Sequence, residues 1–154
     1  MSDWIEDEAE QMRLAQEKAN QNDYLIAYSN YWADLTEQIK NDVQSINDNP
    51  VCQQRLDGFK IRIRKDIDGY KIEKTSFPAV YITLDNTGTA IKINTEIARN
   101  VDDSTKQRET LEVKVNGKRV YLVKFEEAFL IPEQASKYIL KPILDVLKEQ
   151  LKKG

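Results

Sequence analysis

Residues 59–73 read Phe59-Lys60-Ile61-Arg62-Ile63-Arg64-Lys65-Asp66-Ile67-Asp68-Gly69-Tyr70-Lys71-Ile72-Glu73. Apolar and basic residues alternate as far as Lys65, the period-two signature of a strand buried on one face. Asp68-Gly69 then supplies a two-residue hairpin signal, because the favoured tight turns need positive φ. With that pair as the loop, Ile67 faces Tyr70, Asp66 faces Lys71, Lys65 faces Ile72 and Arg64 faces Glu73. This register gathers Ile61, Ile63, Ile67, Tyr70 and Ile72 on one face. On the other it opposes unlike charges, each pair contributing roughly 0.2–1 kcal/mol. Only Lys65 falls on the apolar side, near the hairpin end where its stem can snorkel.

The same alternation continues downstream. Val80, Ile82 and Leu84 alternate with Tyr81 and Thr83, Asp85-Asn86-Thr87-Gly88 turns the chain, and Ile91, Ile93, Thr95 and Ile97 return it opposite Lys92, Asn94 and Glu96. Pro78 falls at the start of its strand, where a missing donor is tolerated. Leu111, Val113 and Val115 run into Asn116-Gly117, the preferred type I′ pair, and return through Val120 and Leu122. Closure over that pair sets Val113 opposite Val120 and Leu111 opposite Leu122. Residues 99–108 show no alternation and read as a long polar loop.

The third hairpin leaves Tyr121, Val123 and Phe125 beside Glu112, Lys114 and Arg119, an apolar group on the side expected to be wet. Either the C-terminal segment covers it or it is a patch for a ligand or partner.

Cover for the sheet comes from both ends of the chain. Leu25, Tyr28, Trp32, Leu35, Ile39, Val43 and Ile46 recur at steps of three and four, one stripe of an α-helix. Asn47, Asp48, Asn49 and Pro50 stop it. Residues 3–19 also have helical composition, but their stripe through Ile5, Ala9, Met12 and Ala19 is thin. Asn20, Gln21, Asn22 and Asp23 mark an expected break, with Asn22 or Asp23 capping the second helix. Residues 1–22 are therefore set apart as a polar helical arm, either mobile or docking a partner through Trp4, Ile5 and Met12, and 23–154 as a single domain.

At the other end Pro132 suits a first helical position and Glu133 complements the positive helix end. Ile139, Ile143, Val146, Leu147 and Leu151 define the second seam. Pro142 interrupts it, and either kinks one helix or restarts another.

The expected fold is α+β: a long N-terminal helix, an antiparallel meander of about six strands, and a C-terminal helix with a Pro-induced kink, both helices on one face of the sheet. A strongly curved sheet gripping a helix and a flatter two-layer sandwich fit equally.

Composition narrows the chemistry. The 154 residues hold one cysteine, Cys52, and no histidine. An intrachain disulfide, Ser-His-Asp and Cys-His catalysis, and most zinc and copper sites are excluded. No phosphate-binding glycine loop occurs, so no cofactor and no metal are expected. The acidic start lacks the basic and apolar regions of a signal peptide, and no apolar run approaches the ~20 residues of a membrane span. A cytoplasmic location and no membrane partner are the expectation.

The net charge of −3 hides an uneven spread, with twelve acids against four bases in residues 1–58 and fourteen bases against nine acids in 59–125. A nucleic-acid partner draws support from Lys60, Arg62 and Arg64, but acidic pairing and a pI near 5.2 disfavour it. An enzyme rests at best on Glu126 and Glu127 with Tyr121, since close like charges push one carboxyl toward neutrality. The inventory points instead to a non-enzymatic protein-binding or homo-oligomerisation module, with Trp4, Ile5, Met12, Tyr121, Val123 and Phe125 as contact candidates. Small-molecule binding on the sheet face is the alternative.

Overall fold

The computed structural model describes residues 3–56, 59–65, 69–88, 90–116, 119–124 and 128–153, with the side chains of 3, 4, 19–25, 115, 116, 119–124, 128, 129 and 153 left aside. Helix α1 (Asp3–Asn47) is followed by a short α2 (Pro50–Arg55), seven strands and α3 (Pro132–Lys153). The strands are β1 (Ile61–Lys65), β2 (Gly69–Lys74), β3 (Ala79–Asn86), β4 (Ala90–Ala98), β5 (Ser104–Asn116), β6 (Arg119–Lys124) and β7 (Ala128–Leu130). They form one antiparallel sheet in sequence order. The class is α+β as expected. The seventh strand, three residues long, is too short to show an alternation.

The inner face carries Ile61, Ile72, Val80, Ile82, Leu84, Ile91, Ile93, Leu111 and Val113, all buried. Against it pack Tyr28, Tyr31, Leu35, Ile39 and Val43 of α1 and Ala135, Ile139, Leu140, Ile143, Val146 and Leu147 of α3. Both helices therefore lie on one side of the sheet. Trp32 meets Tyr70 of β2 with ring centroids 5.8 Å apart and planes tilted by 52°, a geometry that suits the aromatic quadrupoles. Tyr31, missing from the expected stripe, is buried and donates its hydroxyl proton to the Leu130 carbonyl at 2.6 Å.

Several expectations need correction. α1 runs through residues 20–23 without a break. Asn49 caps α2 instead, its side-chain oxygen accepting from Val51 N and Cys52 N. Of the two alternatives at Pro142 the expected single helix is found, α3 continuing through it without restarting. The supposed loop at 99–108 is half strand: β5 begins at Ser104, and the turn is closed by Arg99 N donating to Asp103 O at 2.9 Å.

Both outer hairpins close in a register displaced by two residues. Lys65 pairs with Tyr70, Arg64 with Lys71 and Ile63 with Ile72. Residues 66–68, including the Asp66 expected to face Lys71, lie outside the described residues. Likewise Val115 pairs with Val120 and Asn116 with Arg119, so the hairpin closes over 117 and 118, also outside the described residues. This register sets valine against valine where the other opposes Val115 to Lys118. A shift of two leaves every side chain on its original face. Arg64 still reaches Glu73, diagonally, at 3.3 Å.

Gly69 is a glycine for a reason other than its φ. A Cβ there would stand 1.9 Å from the Leu84 carbonyl oxygen, so β2 and β3 approach too closely for a side chain. Positive φ is found at Gly88, at 90°, in the β3–β4 turn. There Asn86 accepts from Gly88 N at 2.9 Å.

Candidate interaction surfaces

Residues 5–18 of α1 are exposed on every side. At 1.5 Å per residue this stretch is about 21 Å of helix. Ile5 is 57% and Met12 69% exposed, and they lie seven residues apart on the same side. Leu14 and Ile26, exposed as well, were absent from the expected contacts. Arg13 pairs with both Glu10 and Glu17. Glu6, Asp7 and Glu8 have no ion pair among the described residues. The Trp4 side chain lies outside the described residues.

The outer face of the sheet is the second surface. Register builds rows across it: Arg62–Glu73–Tyr81–Glu96–Lys106, then Arg64–Lys71–Thr83–Asn94–Arg108, then Asp85–Lys92–Thr110. The middle row carries three bases and no acid. A shallow open groove of about 510 Å³ crosses β3–β5, lined among others by Tyr81, Thr83, Lys92, Asn94, Lys106 and Arg108. Lys92, Lys106 and Arg108 are exposed and show no ion pair among the described residues. The sequence hid this patch because Lys106 and Arg108 fall in the stretch without alternation.

Tyr121 and Val123 pair in register with Lys114 and Glu112. The side chains of Tyr121 and Val123 lie outside the described residues, as do Phe125, Glu126 and Glu127 entirely. The contact group and the carboxylate pair expected there are not brought together by anything described.

Reactive side chains elsewhere are tied into the packing. Ser136 is fully buried and donates to Asp42 at 2.6 Å, and Gln38 donates to the other Asp42 oxygen at 3.0 Å, joining α1 to α3. Tyr138 of α3 donates to Glu109 of β5. Burial, then the Glu109 carboxylate, raises the Tyr138 hydroxyl well above the ordinary phenol range. Lys74, fully buried at the end of β2, donates to Ser76 O and Pro78 O at 2.8 Å and to Ser76 Oγ at 3.3 Å. Burial among these neutral oxygens lowers its pKa to about 8. Cys52 is free and buried.

Among the described residues no cluster of three or more acidic or cysteine side chains could hold a metal ion, and no helix is long and apolar enough to cross a membrane. No protein-family model, curated protein or solved structure matches this chain.

Proposed function

We propose that the chain is a non-enzymatic protein-binding or homo-oligomerisation module whose docking element is the N-terminal half of α1. The observation that carries this reading is the all-round exposure of residues 5–18 on a helix whose other half is core. Helical stretches of this length are marginal in water without tertiary packing. Ile5 and Met12, exposed on one side, are the apolar anchors a partner would cover. Burial of Cys52, Lys74 and Ser136, the nucleophile-bearing groups named above, supports a role without catalysis.

The groove on the outer face favours a second reading, in which the sheet binds a small molecule or nucleic acid through Lys92, Lys106 and Arg108.

Sedimentation of the full chain beside Ile5→Glu/Met12→Glu tests the first reading. The native chain is expected to form species larger than 17.9 kDa that the variant loses while keeping its circular dichroism. A variant that associates as the native chain does would contradict it.

A further inference from the structure

We infer that the partner of the α1 arm is a second copy of this chain, whose outer sheet face receives the arm in the groove over β3–β5. This rests on the reading of the arm as a docking element and names what it docks on.

Charge supplies the first argument. Residues 3–18 carry six acids, Asp3, Glu6, Asp7, Glu8, Glu10 and Glu17, against Arg13 and Lys18. Both bases sit at the far end, and Arg13 is already paired to Glu10 and Glu17. The tip is thus strongly acidic. The groove offers Lys92, Lys106 and Arg108 against Glu96, with Asp85 opposite Lys92 on the same face. Opposite fields of this kind steer association and fix register.

Shape supplies the second. An arm of sixteen residues is about 24 Å long and about 10–12 Å wide with side chains. The nine residues of β4 extend about 30 Å, and three strands span about 10 Å. Ile5 and Met12 can cover Tyr81 and the lysine stems while Glu8, which lies between them on the same side of the helix, meets an ammonium group and the other acids set the field of the tip.

The arm cannot reach its own groove. From Tyr28 onward α1 packs on the inner face, and the helix has no break at which the chain could turn round the sheet edge. The contact is therefore made between copies. Two molecules exchanging arms make it twice, as two-fold symmetry requires.

Nucleic acid fits the same face less well. Single strands bind on stacked aromatic platforms, whereas the described groove holds one aromatic ring, Tyr81, in a row between Glu73 and Glu96. The acidic arm would also repel phosphate.

The test uses three full-length chains in sedimentation at about 50 mM and about 500 mM salt, where screening lengths differ severalfold. These are the native protein, Glu6→Lys/Asp7→Lys/Glu8→Lys and Lys92→Glu/Lys106→Glu/Arg108→Glu, all at exposed positions. The native chain should associate in low salt and weaken in high salt. Each variant should lose association about tenfold or more. An equimolar mixture of the two variants should recover it, because the intact arm of one meets the intact face of the other and the two reversed surfaces are again opposite in sign. A face variant that associates like the native chain, while the arm variant does not, overturns the inference and leaves the arm reading standing. Arm and face variants that both associate like the native chain overturn the inference and speak against the arm reading as well. A native chain that stays monomeric overturns the inference, as does a monomer retained on single-stranded DNA or RNA through Lys92, Lys106 and Arg108.

Discussion

The side-chain amide of Asn47 holds the backbone of Ile61 in both directions, accepting from Ile61 N at 2.8 Å and donating to Ile61 O at 2.9 Å. The last residue of α1 thereby does for the start of β1 what a neighbouring strand would do. Sheet edges otherwise present unpaired backbone groups, and Ile61 itself is 2% exposed.

Asn47→Ala removes both bonds and leaves two backbone groups of a buried residue unpartnered. At about 1–3 kcal/mol for an orphaned buried group, a loss of about 2 kcal/mol in urea unfolding is expected. Asn47→Asp keeps the acceptor alone and should fall between. An alanine variant with the native midpoint would show the bonds to be incidental.

Gly69→Ala should destabilise more than an ordinary strand substitution. The new Cβ would meet the Leu84 carbonyl oxygen, a backbone atom that yields only if β2 and β3 separate. A cost of at least about 1–3 kcal/mol follows from overpacking. Were the glycine needed only for the turn, Gly69→Asn would be tolerated, since asparagine also accepts positive φ. The close approach predicts that it fails as badly as alanine.

Lys74 links stability to pH. Its folded pKa of about 8 lies below the ordinary 10.5, so between these values the unfolded chain binds more protons and stability rises with pH. It is lost again as pH falls through 8. The slope approaches about 1.4 kcal/mol per pH unit for one proton. Unfolding of the native chain and Lys74→Met at pH values between about 7 and 9.5 should show this rise in the first and not in the second. Parallel curves would remove Lys74 as its source.

What was legible in the sequence follows from what is half-buried. The stripe Tyr28, Trp32, Leu35, Ile39 and Val43 and the alternation at Ile82, Leu84, Ile91 and Ile93 each have one wet and one dry side, and periodicity reports such a difference directly. Residues 104–108 have no dry side and are held by their ladder to β4 alone, so their strand left no pattern. Register was misread by two residues at both outer hairpins because face assignment is blind to a shift of two. Tyr31 was missed because its hydroxyl finds a partner in the Leu130 carbonyl, which composition does not reveal. The basic groove assembles from three strands, and only the β4–β5 pairing sets Lys106, Arg108 and Lys92 in successive rows of one face.

Amide hydrogen exchange of the full chain at rising protein concentration probes the docking of α1 most directly. A helix exposed on every side opens readily, whereas one seated on a partner exchanges only through dissociation. Residues 5–18 should exchange quickly in dilute solution and slow about tenfold or more as the chain associates, while Leu35, Ile39 and Val43 stay protected throughout. Rapid exchange of residues 5–18 at every concentration would contradict the account.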